Sequence, residues 1–152
     1  MTYQLPDWVW PTALMTVCVI AVWRGRDEER LAVAALLANW ALTVLVAKVD
    51  SGTTQWERLA VDAALLGIYL WLALRSRRYW PLFAAGFQVL CVVTHLGRIA
   101  DPTVSGWAYL TAGLIWSYLV LFTLGYGAWT APRFPPAAAE PAEAPPPRPT
   151  PL

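Results

Sequence analysis

Five apolar runs, each close to the length of a membrane crossing, follow one another with only short charged or turn-forming connections between them. That spacing constrains the fold more than any other feature of the chain. A bilayer core of about 30 Å takes roughly 20 apolar residues as a helix, because a spanning backbone must satisfy its own hydrogen bonds. The runs predict an all-α, polytopic transmembrane helix bundle of five spans, over residues 7–23, 31–49, 55–74, 79–97 and 105–129. Composition agrees: 58% of the residues are hydrophobic and 14% charged, against about 45–50% and about 25% in soluble domains. The formal net charge of +1 leaves no nucleic-acid footprint.

The first run is the shortest, at roughly 17 residues near the lower limit for a span, and the alternative is four spans with this segment lying in the interface. Asp7 is the expected N-cap of its helix, and Pro11 falls within the tolerated first turns. The six residues before Asp7 contain no Lys or Arg, so no cleaved secretory signal is expected. Residues 24–30, RGRDEER, read as a charged connection, and DSGTT at 50–54 as a turn. Thr54 and Glu57 have capping-box spacing at the start of the third helix. RSRR at 75–78 is a basic hairpin connection that reads as a topology signal, and Asp101-Pro102 marks the next turn. Residues 1–131 form the bundle. Residues 132–152 are rich in Pro, Ala and Glu and read as a disordered tail of polyproline II character.

The basic residues set an orientation. Five spans put Arg24, Arg26, Arg30, Arg75, Arg77, Arg78, Arg133 and Arg148 on one side, and Lys48, Arg58 and Arg98 on the other. The richer side is cytoplasmic, so the N-terminus is expected outside and the C-terminus inside. Trp8, Trp10, Trp56 and Trp107 fall at outer ends, and Trp23, Trp80 and Trp129 at inner ends, as interfacial anchors.

The polar residues inside the runs carry what chemistry there is. On the third helix Arg58 and Asp62 are i, i+4 neighbours; on the fourth Gln88, His95 and Arg98 share a stripe; on the second Asn39 and Thr43 do the same. Ionisable groups within a hydrophobic segment face protein or water rather than lipid. Turning these stripes inward lets Asn39 and Gln88 hydrogen-bond near mid-membrane, and lets Asp62 meet Arg58, Arg98 or His95 in the outer third. Lys48 points away and is expected to snorkel. Small residues at Ala63–Gly67 and Gly113–Ser117 are expected to admit close helix approach. Each feature has a structural reading beside a functional one: Arg58–Asp62 as a helix-end pair, His95 as an interhelical donor, Asn39 and Gln88 as packing contacts. The convergence of Asp62, His95 and Arg98 favours function, since a group titrating near neutrality beside a carboxylate can shuttle a proton or hold a quinone-like headgroup.

Several classes are excluded or disfavoured. One histidine cannot supply a bis-histidine haem or a histidine-rich zinc site. Cys18 and Cys91 lie in apolar runs with no CxxC pattern and read as small buried residues, so neither metal nor cofactor is expected. No GxSxG, Walker A or HExxH motif is present.

Residues 78–101, RYWPLFAAGFQVLCVVTHLGRIAD, and 113–121, GLIWSYLVL, resemble small uncharacterised polytopic membrane proteins of bacteria. The resemblance covers the third to fifth spans, carries no catalytic motif, and implies the bacterial inner membrane as location. The expectation from sequence is a non-enzymatic accessory or assembly subunit in the lipid bilayer, forming a homo-oligomer or joining a larger membrane complex. The alternative is a small-molecule or quinone-binding, or proton-linked transport, module built on Asp62, His95, Arg98, Arg58, Gln88 and Asn39.

Overall fold

The computed structural model describes residues 6, 8–48 and 54–132, without the side chains of residues 47, 48, 54 and 55. The described chain is all helix, with no strand: α1 Val9–Arg24, α2 Asp27–Lys48, α3 Thr54–Arg75, α4 Trp80–Ala100 and α5 Gly106–Trp129. The expectations placed on Asp7, on the DSGTT turn before Thr54 and on the C-terminal tail fall on residues outside the described ones, and those on the Thr54 cap and on Lys48 rest on side chains that are not described.

Three of the helices, Asp27–Val46, Trp80–Ala100 and Gly106–Trp129, are long and apolar enough to cross a membrane. The other two expected spans, α1 and α3, do not meet that measure of length and apolarity. α1 has 16 residues, or about 24 Å at roughly 1.5 Å per residue. α3 has the length, at 22 residues, but carries Glu57, Arg58, Asp62 and Arg75, more charge than a lipid-facing run tolerates.

The local reasons for the boundaries are legible. Trp8 is the N-cap of α1 and offers no side-chain hydrogen bond. Pro11 is third in the helix, where its missing N–H had no intrahelical partner to lose. Gly25 ends α1 in an extended conformation; a Cβ there would stand 2.4 Å from the Ala21 carbonyl oxygen and 2.9 Å from the Glu29 Cβ. Only two residues then separate α1 from α2. The DEER segment expected in a loop forms the first turn of α2 instead. Its three acids favour that end through the helix dipole. Glu29 also reaches back to accept a bond from the Arg26 amide at 2.8 Å, which is half of a capping box. Ser105 caps α5, accepting from the Ala108 amide at 3.2 Å.

Packing follows the chain. α2 lies on α3, α3 on α4, and α4 on α5, while α1 closes the bundle against α5 and α2. Leu14 and Ala21 of α1, Leu36 of α2, Tyr69 and Leu72 of α3, Trp80 and Ala84 of α4, and Leu124 of α5 form the core. The expected small-residue contacts do not occur: Ala63 and Gly67 are exposed, and a Cβ at Gly67 or Gly113 would meet nothing. Close approach falls at Gly127, where a Cβ would lie 2.7 Å from the Trp80 ring. Trp80 is therefore a core residue rather than an interfacial anchor, and Trp10 packs edge-on against Tyr118 with ring centroids 5.1 Å apart. Trp8, Trp23, Trp56, Trp107 and Trp129 are exposed.

That last contact sets up a cavity. Trp10 is in the first turn of α1, yet its partner Tyr118 is midway along α5. α1 thus begins beside the middle of α5, and among the described residues it leaves the first half of α5 without a neighbour on that side.

Candidate functional site

Asp62 of α3 is the hub. Its Oδ2 lies 2.8 Å from His95 Nε2, and the Cys91 thiol points at the same oxygen from 3.7 Å. Its Oδ1 accepts from Asn39 Nδ2 at 3.2 Å and from Gln88 Nε2 at 3.4 Å, and Gln88 also donates to the Asp62 carbonyl at 3.2 Å. Two helices, α2 and α4, supply these donors to Asp62 on α3. Gln88, Cys91 and His95 are all buried and fall on one face of α4, because their spacings of three and four residues advance about one turn each. Asn39 comes from α2, where its own carbonyl holds the Thr43 hydroxyl at 2.8 Å. A buried carboxyl needs hydrogen-bond partners in place of water, and four side chains supply them to Asp62.

The chain of polar contacts continues into α5. The Tyr109 hydroxyl lies 2.8 Å from His95 Nδ1, with the two rings edge to face at 5.4 Å. Both imidazole nitrogens therefore have a partner. Two proton arrangements fit: Tyr109 donating to Nδ1 while Nε2–H donates to the Asp62 carboxylate, or Nδ1–H donating to Tyr109 while a protonated Asp62 carboxyl donates to Nε2. Interchanging them moves a proton across the ring. The Arg58 guanidinium stands beside the Tyr109 hydroxyl.

These groups face open space. A cavity of about 310 Å³ is lined by Arg58, Asp62, Cys91, His95, Tyr109 and the rings of Trp10 and Trp40. A smaller one of about 160 Å³ adjoins it, sharing Trp10, Trp40 and Asp62 and adding Asn39 and Gln88. Among the described residues, α1 begins too far along α5 to fill this room. Two of the lining residues, Arg58 and Asn39, each have a buried polar atom, Nε and Oδ1, with no hydrogen-bond partner among the described residues.

Of the residues singled out from sequence, Asp62, His95, Gln88 and Asn39 come together. Asn39 and Gln88 both bind Asp62 rather than each other, and this draws Asp62 to their depth. Arg58 lines the cavity. Arg98 stays apart: its guanidinium donates to the carbonyls of Pro102 and Val104 and closes the α4–α5 connection. In that connection the Thr103 hydroxyl and amide both donate to Asp101, at 2.6 and 2.9 Å, and hold its carboxyl below the ordinary value. Two members of the site were missed, Cys91 and Tyr109. The signal for Cys91 was available, since it precedes His95 by four residues and so shares its helix face. Tyr109 had no comparable signal, because it reaches His95 only through the turn that reverses α5 against α4.

A second polar cluster, unforeseen, sits at the opposite end. Glu29 of α2 is 1% exposed. It pairs with Arg78, and accepts from Trp80 Nε1 at 2.9 Å. Arg78 also donates to the Gly127 carbonyl at 2.9 Å and to the Thr130 hydroxyl at 2.8 Å. Ser76 bonds Glu28 at 2.7 Å. The cluster ties the starts of α2 and α4 to the end of α5. Nearby, the Arg24 guanidinium lies 4.1 Å over the Trp129 ring. Arg78 is held at once by Glu29, Gly127 and Thr130, which marks the pair as a structural lock between helix ends.

Comparison of the chain with family models, with curated proteins and with solved structures gave no match.

Proposed function

We propose that the chain is a five-span membrane protein whose outer half binds a small molecule, with Tyr109, His95 and Asp62 relaying a proton to or from it. The observation that carries this reading is the cavity beside Asp62 and His95, whose lining includes Arg58 and Asn39, each with a buried polar atom that lacks a partner among the described residues. Buried polar groups without partners are rare and costly, so a site that gathers two of them around open space suits a polar ligand. Its aromatic walls, Trp10 and Trp40, suit a flat headgroup such as a quinone. Arg58 and Tyr109 supply donors to a ligand oxygen, and the imidazole supplies the proton. In this reading the bundle lies in a bacterial inner membrane with its N-terminus outside, following the arginine asymmetry and the resemblance of the third to fifth spans.

The test uses Trp10 and Trp40 as reporters. Titrating a short-chain quinone into the protein in mild detergent should quench tryptophan emission saturably. Asp62→Asn and His95→Gln should each weaken the apparent affinity at least about tenfold, a difference of about 1.4 kcal/mol, while the fold persists. Quenching that is linear, or equal in both variants, refutes the reading.

A second reading, an accessory subunit of a larger complex, is favoured by one feature. A groove of about 950 Å³ runs between α4 and α5, lined by Phe83, Phe87, Leu119, Phe122 and Tyr126, with Arg77 at one end. It suits the helix of a partner. The titration separates the two, since an accessory subunit leaves Trp10 and Trp40 emission unmoved.

A further inference from the structure

We infer that Asp62, Cys91 and His95 bind a zinc-class divalent metal ion, with the fourth coordination position facing the cavity. This rests on the reading of the cluster as a binding site and names what the site takes. One ligand atom from each of the three residues lies within 4.8 Å of the other two. Atoms bound to one zinc ion at about 2.0–2.3 Å sit within roughly 4 Å of each other in tetrahedral geometry. Small side-chain rotations bring the three donors to that spacing.

The donor set selects the metal. A carboxylate with carbonyls and water would suit magnesium or calcium, whereas thiolate with imidazole favours zinc and its neighbours. Cys91 and His95 come from consecutive turns of α4, and Asp62 faces them from α3. Charge agrees as well. One carboxylate and one thiolate neutralise a dication, which matters where water is scarce.

The outer shell is already in place. Metal-bound histidines hold their second nitrogen in a hydrogen bond that fixes the tautomer, and Tyr109 stands at His95 Nδ1 for that purpose. Asn39 and Gln88 hold Asp62 Oδ1, leaving Oδ2 for the ion. On binding, the Cys91 thiol loses its proton to solvent and a sulfur–metal bond forms. The Nε2 hydrogen bond to Asp62 breaks, the imidazole carries its one proton on Nδ1 and donates it to the Tyr109 oxygen. Three protein ligands leave one position open. Arg58, which lines the cavity and has a buried Nε without a partner among the described residues, makes an anion such as hydroxide or a carboxylate the fitting occupant.

The test is cobalt titration of the full chain in mild detergent after chelator treatment. One equivalent of Co²⁺ should produce a thiolate-to-cobalt charge-transfer band that Zn²⁺ abolishes. Cys91→Ser should remove the band, and Cys18→Ser, on α1, should keep it. Asp62→Asn and His95→Gln should weaken binding at least tenfold, and Tyr109→Phe by about 10–100-fold, with helicity and elution volume unchanged. Absence of a one-equivalent band in the native chain, or its survival in Cys91→Ser, overturns the proposal. The quinone titration, run on chelated protein, reads the small-molecule site separately, so either result can fail without the other.

Discussion

Glu29 carries its charge to a position where almost no surface remains exposed, and it does so at a helix start that sequence reading placed in a loop. The charge is held by Arg78, Trp80 and the Arg26 amide. Removing one partner from a buried ion pair costs about 3–5 kcal/mol, because the other is left uncompensated. Glu29→Ala should therefore lower the thermal midpoint in detergent sharply. Glu29→Leu combined with Arg78→Met should recover most of the loss, since apolar replacements of similar volume remove both charges. A single Glu29→Ala change costing less than about 1 kcal/mol, the range of an exposed pair, would show that the pair is solvated. The contrast with Asp62 explains what the sequence could reveal. Asp62 interrupts an apolar run and so announces itself. Glu29 sits in the run of charges RGRDEER, where nothing distinguishes the buried acid from its exposed neighbours. Arg98 shows the converse: its stripe pointed to the cluster, but its length carries the guanidinium to loop carbonyls past the end of the helix.

At the scale of elements, helix existence was legible and helix contact was not. Apolar runs bounded by Gly25, by RSRR and by Asp101-Pro102 report where the backbone must turn. The spacing of small residues does not report which neighbour approaches. Gly67 and Gly127 look alike in sequence but differ in surroundings, and this gives a paired prediction. Gly67→Ala faces open space on a helix and should stabilise α3 by up to about 1 kcal/mol through helix propensity. Gly127→Ala drives a methyl into the Trp80 ring and should cost about 1–3 kcal/mol, as overpacked cores do. Thermal melts of the two variants decide it, and similar shifts in both would mean that α4 and α5 are not held at this distance. The shortness of α1 belongs here too. It looks like a deficiency when spans are counted, yet among the described residues it leaves the start of α5 uncovered, beside the cavity.

For the whole molecule the contacts constrain the crossings more tightly than hydropathy does. Glu28 and Glu29 open α2, and they bind Ser76, Arg78 and Trp80, which follow α3 and open α4. The starts of α2 and α4 are thus at one level. If α2 crosses the membrane, α3 must return through the same thickness, and its 22 residues cover about 33 Å at roughly 1.5 Å per residue. Its charges, too many for lipid, are admissible because Asp62 faces Asn39, Gln88 and His95. α1 ends beside the end of α5, with Arg24 over Trp129, and begins beside its middle, so the course of the chain before Val9 fixes the side of the N-terminus. Single cysteines in a background lacking Cys18 and Cys91 test this with a membrane-impermeant maleimide. In intact cells stripped of any outer membrane, Pro102→Cys should label and Arg77→Cys should label only after permeabilisation, as the arginine asymmetry requires. Pro6→Cys then decides the proposed fifth span. Labelling alongside Pro102→Cys means that α1 crosses, whereas protection alongside Arg77→Cys means that α1 lies on the inner side and four helices cross.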